Sequence, residues 1–481
     1  MPTYANYPQP QSFDDSGEPS LGVDRATGAA LFMSGTHVAR VSFDPKHKTS
    51  TWTNITSPLS QVTTLDSILF TDPQTNRTFV YQLAAACSIA LTTDDDGKSY
   101  LPATCPPGAV FDHETVGTGP YPKGSLLRGV AYPNAVYYCA DLGFADECGR
   151  SDDGGLTFAP AVVTDSSAVD QCQGLSGHVK VGPDGVVYVP RFDCGGTAAV
   201  TISTDAGLTW KVHHIPGSTT QDESDPSVGV STHGVVYFGW ENGASNAKGS
   251  TADIAVSHDQ GKTWSKPFDV GAQLGIKNIQ FPEVVAGDDD RAAYAFLGST
   301  VAGNDQLKGF KGVFHLYVAT TYDGGKSWKT VDATPSDPAQ RGGINLGGTG
   351  GGGGGAAAVR NLLDFNDMTM DKTGRVYVGW ADGCTLRCST SALPADNHYD
   401  FLGTITRQET GRTLYKAYDP VATKPPVTKP VPGGVTVPAT PSTPVGRKPL
   451  ASTGADPWLV GAGLTLLAAG LVVRRRISRA A

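Results

Sequence analysis

Seven short segments of this chain open on a side chain that could do chemistry. The openers are Glu18, Asp66, His113 followed by Glu114, His178, Asp225, Glu283 and Asp367. If they converge at one mouth, they could bind sugar hydroxyls, hold a hard cation such as Ca²⁺ through oxygen ligands, or supply the paired carboxylates of glycoside hydrolysis. The structural alternative is that they hydrogen-bond backbone N–H groups of neighbouring strands.

A similar pair of strands follows each opener. A short strand, a turn and a strand centred on Val and Tyr recur, as in 225–230 with 234–240 and in 367–370 with 374–380. Apolar alternation of this kind predicts β-strands. The repeated tyrosines share one position of the second strand, which favours a core role over a nucleophilic one; they are Tyr81, Tyr188, Tyr237, Tyr294 and Tyr377. Trp240 and Trp380 end such strands, and the core is again favoured over sugar stacking.

An eight-residue pattern, S/T-x-D-x-G-x-S/T-aromatic, alternates with these strand pairs. Its five aspartates are Asp95, Asp153, Asp205, Asp259 and Asp323. An aspartate can accept hydrogen bonds from backbone N–H groups just ahead of it, the glycine can take a positive φ, and the aromatic residue starts a new strand. We interpret these aspartates as turn-formers rather than catalysts or metal ligands, because five equivalent turns cannot all line one site.

Each opener unit together with one such turn makes four strands, the content of a propeller blade. The first unit has only a degenerate turn around Asp44 and Trp52, the last has none, and the unit around His113 is irregular. The repetition predicts an all-β fold, a β-propeller of four-stranded antiparallel blades, with seven blades favoured and six as the alternative. The first strand of each blade lines the channel of a propeller, so the openers are predicted to form an acidic ring at its mouth.

The repeated turn is identified as the Asp-box, or BNR repeat, and residues 15–417 resemble β-propellers of the sialidase superfamily. The resemblance implies that the box lies between the third and fourth strands of a blade, away from the binding face. Sialidases of this type have six blades. They use a Tyr nucleophile paired with Glu, an Asp as acid/base, and three arginines that grip the substrate carboxylate.

The catalytic part of that resemblance is incomplete. The family marks its first arginine with an Arg-Ile-Pro motif, which occurs nowhere in this chain; the comparable strand reads Gly17-Glu18-Pro19-Ser20. Arg128, Arg191 and Arg360 are the candidates for an arginine cluster. Whether the protein is an enzyme therefore stays open at this point.

Charge and cysteine content restrict the partners and the compartment. A net charge of −9 over 481 residues argues against nucleic acid as a ligand. The eight cysteines fall in sequence-near pairs, which predicts local disulfides in an oxidising compartment; the pairs are Cys87 with Cys105, Cys139 with Cys148, Cys172 with Cys194, and Cys384 with Cys388. The last pair could instead be half of a metal site, although no second ligand group accompanies it.

The C-terminal region has the pattern of a cell-surface anchoring signal. After a propeller predicted over 1–417 come a Pro/Thr-rich linker (418–449), the segment Leu450-Ala-Ser-Thr-Gly454, and a transmembrane helix with a basic tail (455–481). This order resembles a Gram-positive sortase sorting signal of the actinobacterial LAxTG type, which implies cleavage between Thr453 and Gly454. The alternative is a single-span membrane anchor. The N-terminus lacks the basic and apolar regions of a signal peptide, which conflicts with a surface location.

Taken together, the sequence predicts an extracellular protein of a Gram-positive cell, anchored to the wall or the membrane. Its partners are predicted to be an extracellular glycan or glycoconjugate, sortase and cell-wall peptidoglycan, with no cofactor unless Ca²⁺ binds. The favoured function is ligand binding at the acidic mouth, and the alternative is an exo-glycosidase. Its catalytic candidates are Glu18, Asp66, Asp225, Glu283 and Asp367; the ligand-binding candidates are His113, Glu114, Arg128, His178, Arg191 and Arg360.

Overall fold

A computed structural model of the chain describes residues 1–10, 17–60, 66–84, 88–106, 112–219, 224–244, 248–347, 357–391, 393, 397 and 399–420. In these ranges thirty strands form seven separate antiparallel sheets, which confirms the predicted seven-bladed propeller. The Pro/Thr-rich linker from residue 421 onward, the sorting segment with Thr453 and Gly454, and the predicted span lie outside them. No helix of the described part is long and apolar enough to cross a bilayer.

The strands of the first six blades run outward from the channel in chain order. Blade 1 contains β2 (Ser20–Val23), β3 (Ala30–Ser34), β4 (His37–Asp44) and β5 (Thr49–Asn54). Blade 2 contains β6 (Ser67–Thr71), β7 (Thr78–Gln82), β8 (Ile89–Thr93) and β9 (Leu101–Pro102). Blade 3 contains β10 (Asp112–Gly119), β11 (Ala135–Asp141), β12 (Ala145–Ser151) and β13 (Val162–Ser166). Blade 4 contains β14 (Cys172–Ser176), β15 (Lys180–Val181), β16 (Val187–Cys194), β17 (Ala199–Ser203) and β18 (Lys211–His214). Blade 5 contains β19 (Ser227–Val230), β20 (Val236–Ala244), β21 (Gly249–Ser257) and β22 (Phe268–Asp269). Blade 6 contains β23 (Asn278–Ala286), β24 (Ala292–Ser299), β25 (Val313–Thr321), β26 (Lys329–Asp332) and β27 (Gln340–Arg341). Among the residues that the structure describes, helical structure is limited to one α-turn, α1 (Arg387–Thr390), and the 3₁₀ turns Ala272–Leu274 and Lys416–Tyr418.

Blade 7 is closed by the start of the chain. Its strands are β28 (Asp367–Met370), β29 (Val376–Asp382), β30 (Leu402–Thr410) and, outermost, β1 (Thr3–Pro8). β1 pairs antiparallel with β30 from Thr3 opposite Thr410 to Pro8 opposite Thr404. Sequence analysis missed this strand, and the closure explains why the last unit has no Asp-box: its outer strand does not follow from a turn after β30.

The cores lie between adjacent blades and are built as the periodicity predicted. The repeated tyrosines are buried, at 2% exposure or less, and so are Trp240 and Trp380. Two of the rings pack edge-on against box aromatics or their neighbours, as Tyr237 does on Trp328 with 6.3 Å between ring centroids. Burial of one such large side chain contributes about 2–3 kcal/mol, so these positions hold the blades together and leave no tyrosine of this set at a surface.

Each Asp-box is a closed set of short hydrogen bonds on the turn between the third and fourth strands. In blade 5, Asp259 accepts the Thr263 N–H at 2.8 Å and the Thr263 hydroxyl at 2.7 Å, while the Ser257 hydroxyl donates to it at 2.8 Å. Gly261 takes φ +79, which costs no strain only for glycine. The Thr263 hydrogen bond lowers the pKa of Asp259 to about 2, as expected for a turn-former rather than an acid/base catalyst.

We expect Asp259→Ala to lower the stability by about 1–2 kcal/mol, because the hydrogen bonds of one turn are lost. The stabilisation is present above the unfolded pKa of Asp and disappears as the pH falls towards 2, so the difference from wild type should vanish in acid. Chemical denaturation at pH 7 and at low pH measures it. His258→Ala, at the exposed neighbouring position, is the matched control. An unchanged midpoint for Asp259→Ala would contradict the assigned role.

Three of the predicted cysteine pairs are confirmed as disulfides. Cys139–Cys148 joins opposite residues of β11 and β12, and Cys172–Cys194 joins opposite residues of β14 and β16. Cys384–Cys388 spans the start of α1, which rules out the metal-ligand alternative for that pair. Cys105 is disulfide-bonded as well, and its predicted partner Cys87 lies outside the described residues.

Candidate functional site

The innermost strands of all seven blades line a central channel. Near the ends of these strands the channel holds a cavity of about 150 Å³, which is lined by Val23, Thr71, Thr118, Val181, Val230, Ala286 and Met370 among others. The openers lie towards the other end. Most stand at the start of an innermost strand, whereas Glu283 follows a bulge inside β23 and His178 lies between β14 and β15. Because successive strands of a blade are antiparallel, the Asp-box turns are at the end of the blade opposite the openers.

Irregular backbone at the strand starts aims the openers inward. β10 changes register between Asp112 and Thr115, and His113 in that gap takes φ +48. β23 changes register between Gln280 and Glu283, and Phe281 there takes φ +59. Bulges redirect side chains, and a positive φ at a non-glycine residue costs energy that is found concentrated at functional sites.

Three openers from three blades meet across the channel in what we call the mouth triad: His178, Glu283 and Asp367. One ligand atom from each lies within 4.8 Å of the others. His178 Nδ1 lies 3.5 Å from Glu283 Oε1 and 3.7 Å from Asp367 Oδ1. All three residues are buried, and burial raises the pKa of Glu283.

A second pair lies beside the triad. His113 Nε2 is 3.1 Å from Asp225 Oδ2, so blade 3 reaches blade 5 across the channel. The His113 ring stacks on the His178 ring with 6.2 Å between centroids, and Phe365 packs edge-on against both imidazoles. Burial, and then the nearby His178, lower the pKa of His113 to about 3, so this imidazole is neutral at physiological pH.

A third group surrounds Glu18. Arg360 forms a bidentate pair with Asp364, with N–O distances of 2.6 and 2.5 Å. Burial raises the pKa of Glu18 well above its usual value, and the charges of Asp364 and then Asp66 add to the shift. Glu18 thus shares the mouth with two other carboxyls and one arginine, and Asp66 is the least buried of the openers.

Glu114 turns away from these groups into a pocket between blades 2 and 3. It accepts hydrogen bonds from the Ser88 hydroxyl and, at 2.8 Å, from the Tyr138 hydroxyl. Burial raises the pKa of Glu114 to about 8 although both hydrogen bonds oppose the shift. Burial and the Glu114 charge also raise the pKa of Tyr138 well above its usual value.

The three candidate arginines are not brought together. Arg191 is buried between blades 3 and 4, where Nη1 donates to Asp146 and Nε lies 3.2 Å from Asp165. Arg360 is held by Asp364, whereas Arg128 is exposed on the loop between β10 and β11, at the Asp-box end. The predicted carboxylate-gripping cluster is therefore not formed.

The openers converge as the repeat predicted, but they are buried rather than exposed at an open mouth. Sequence analysis missed their partners for two reasons. Asp364, Phe365 and Ser88 lie outside the strands of the repeat. Tyr138 lies in the repeated strand β11, and the pattern of that strand does not indicate its hydrogen bond to Glu114. The run Asp364-Phe-Asn-Asp367 was the available signal, since it places two carboxyls and an aromatic ring immediately before an innermost strand.

The raised pKa of Glu114 predicts a pH-dependent stability. The folded protein keeps this proton up to about pH 8, whereas the unfolded chain releases it near pH 4.3. Stability is therefore full below about pH 4.3 and falls as the pH rises to 8, by up to about 5 kcal/mol for this group. Glu114→Gln should flatten that fall, as measured by denaturant unfolding between pH 5 and 8. Glu147→Gln, on a half-buried carboxyl, is the control, and identical pH profiles for Glu114→Gln and wild type would refute the assignment.

Comparisons with known proteins agree with the repeat and the fold. Residues 255–266 match the BNR/Asp-box repeat family, and no curated protein matches the chain. Among solved structures, a GH74 enzyme of Niastella koreensis is 16% identical with a TM-score of 0.47, and 79% of this chain aligns with 53% of that one.

Two further solved structures are similar at the same low level. A Hadza microbial sialidase is 13% identical, with a TM-score of 0.36, over 81% of this chain and 65% of its own. A lectin of Aleuria aurantia, solved with α-methyl-L-fucoside, is 11% identical, with a TM-score of 0.38, over 68% of this chain and 94% of its own. The seven sheets make the chain a seven-bladed propeller, one segment of it matches the BNR repeat, and its structural neighbours include a sialidase and a lectin.

Proposed function

We propose that this protein is a surface-attached propeller that binds an extracellular glycan at the opener end of its channel, without turnover. The observation that carries the proposal is a pair of buried polar atoms there that make no hydrogen bond within the described residues, Glu18 Oε2 and His178 Nε2. Buried polar atoms without partners are costly, and sugar hydroxyls can both donate hydrogen bonds to such atoms and accept hydrogen bonds from them. Convergent polar groups at the end of a channel are typical of ligand sites.

The absence of turnover is argued from the same residues. Sialidase chemistry needs three arginines on one carboxylate, and Arg128, Arg191 and Arg360 are apart. It also needs a tyrosine that ionises readily, whereas burial raises the pKa of Tyr138.

The second candidate is an exo-glycosidase, and one contact favours it. The Tyr138 hydroxyl donates to Glu114 at 2.8 Å, which is the Tyr–Glu pairing of a sialidase nucleophile, and a carboxyl that keeps its proton to about pH 8 could act as a general acid. Both groups are buried in the described structure, so this reading ranks second.

One pair of assays separates the candidates. The purified chain is applied to a glycan array and to a panel of fluorogenic glycosides that includes an α-sialoside, alongside Asp225→Asn and Glu283→Gln at the mouth. Asp259→Ala, at the opposite end, is the matched control. We expect a bound glycan, weakened at least tenfold in the mouth variants and unchanged in the control, with no sugar released. Release that Glu114→Gln abolishes would establish the exo-glycosidase instead, and neither binding nor release would overturn both candidates.

Surface attachment rests on the C-terminal segment and has its own test. If Thr453 is joined to the cell envelope, Thr453→Ala should prevent that joining and leave the protein in the membrane fraction rather than the wall fraction. Immunoblotting of fractionated Gram-positive cells that express the chain measures this, with Ser452→Ala, at the variable position of the LAxTG pattern, as the control. An equal distribution of both variants and wild type would refute sortase attachment.

A further inference from the structure

The mouth triad has the composition of a transition-metal site rather than of a calcium site. One imidazole and two carboxylates, from blades 4, 6 and 7, direct Nδ1, Oε1 and Oδ1 at one another. Ca²⁺ prefers six to eight oxygen ligands, whereas imidazole with carboxylate suits Zn²⁺ and its first-row neighbours. The triad therefore points away from the Ca²⁺ option raised by the sequence.

The distances fit ligands around a shared ion. His178 Nδ1 lies 3.5 and 3.7 Å from the two carboxylate oxygens. Ligands bonded at 2.0–2.1 Å in a tetrahedron are separated by roughly 3.4 Å. Hydrogen bonds from an imidazole N–H would be shorter, at about 2.7–3.2 Å.

His178 supplies an independent observation. Its side chain is 5% exposed, and Nδ1 faces the two carboxylate oxygens, whereas Nε2 makes no hydrogen bond within the described part of the chain. Two buried carboxylates that face the same imidazole nitrogen are unfavourable unless a positive charge lies between them. A cation bound by Nδ1 and the two carboxylate oxygens would supply that charge.

The remaining oxygens of the triad are already positioned. Asp367 Oδ2 accepts the Leu21 N–H at 2.6 Å, and Glu283 Oε2 accepts the Ser227 hydroxyl at 3.0 Å. Such outer hydrogen bonds orient metal ligands. Asp367 Oδ1 also accepts the Met368 N–H at 2.7 Å, and a carboxylate oxygen keeps a second lone pair for an ion. The residue that follows each triad member, Val179, Val284 and Met368, lines the channel cavity, which offers a route of entry.

We propose that His178 Nδ1, Glu283 Oε1 and Asp367 Oδ1 bind one divalent first-row transition-metal ion, with Zn²⁺ as the reference ion. Two carboxylates and a neutral imidazole carry the −2 charge that a divalent cation balances. Three protein ligands leave a fourth position, as in zinc sites that hold a water or a ligand. The inference does not depend on glycan binding.

The test is metal binding by the full chain, freed of metal by a chelator and titrated with Zn²⁺, Co²⁺ or Ca²⁺ by calorimetry. We expect one Zn²⁺ or Co²⁺ per chain, visible absorption of the Co²⁺ form typical of low coordination, a rise in melting temperature with Zn²⁺, and no effect of Ca²⁺. His178→Gln and Glu283→Gln should weaken binding by at least a hundredfold, and Ser227→Ala, which removes an outer hydrogen bond, by about 10–100-fold.

His213→Gln, on the half-buried β18, is the matched control and should bind as wild type does. If His178→Gln does not fold, Ser227→Ala and the Co²⁺ spectrum of wild type decide the matter. No stoichiometric Zn²⁺ or Co²⁺ binding, binding of Ca²⁺ alone, or binding that His213→Gln lowers as much as His178→Gln would overturn the proposal. A metal-binding chain that ignores every glycan would still support it, so the two proposals fail separately.

Discussion

Removal of residues 1–8 is expected to cost about 5 kcal/mol or more and to make the protein aggregate. The deletion takes away the whole β1–β30 ladder and the buried Tyr7, which packs on Phe43 with 4.9 Å between ring centroids and donates to Glu409 at 2.9 Å. That loss is comparable with the entire stability of many domains. It also leaves β30 as an unpaired edge, which invites pairing between chains.

The measurement is denaturant unfolding combined with size-exclusion chromatography of the truncated chain. A synthetic peptide of residues 1–10, added in excess, should restore the missing strand by addition to the edge of β30. The same peptide with Tyr7→Asp is the matched control and should not restore it, because Tyr7 is 1% exposed in the fold. A truncated chain that is monomeric and as stable as wild type would show that blade 7 does not need β1.

Arg191→Met is expected to destabilise the protein by about 3–5 kcal/mol, because it leaves two buried carboxyl groups without their positively charged partner. Arg191, Asp146 and Asp165 are each at most 2% exposed. Burial raises the pKa of Asp146 to about 8, and Arg191 opposes that shift. Removal of the arginine therefore raises this pKa further.

The sign of the pH dependence follows from that shift. When a carboxyl has a higher pKa in the folded protein than in the unfolded chain, the folded protein becomes less stable as the pH rises between those two pKa values. The deficit of Arg191→Met should thus be smaller near pH 5, where a proton neutralises Asp146, than at pH 8. Thermal unfolding across this range measures it. Combining Arg191→Met with Asp146→Asn and Asp165→Asn should recover most of the loss, and a deficit that did not change with pH would contradict this account.

The sequence predicted what depends on neighbouring residues. The strand predicted at 367–370 is β28 (Asp367–Met370), and the five Asp-boxes form the turns expected of them, since both follow from local alternation and local hydrogen bonds. The openers were found for the same reason. Each begins a repeat in which a strand, a turn and a second strand can be recognised within about a dozen residues.

What the sequence could not supply is which distant residues meet. His178 faces Glu283 and Asp367 from across the channel, and no local pattern encodes that encounter. Arg191 stands within the strand Val187–Cys194 and gives no sign of its buried acidic partners. The degree of burial was missed as well, because it comes from Phe365 and its segment closing over the imidazoles.

The pairing of β1 with β30 also determines the order in which the blades can be completed during synthesis. Tyr7 and its partner Glu409 are 402 positions apart, and translation at 5–20 residues per second separates their synthesis by roughly 20–80 s. Blades 1 to 6 can form as the chain emerges, whereas the first strand made must wait for the last one. Asp367 belongs to that late blade, so the mouth triad is completed only at the end, and a nascent chain cannot acquire its ligand before the ring is nearly whole.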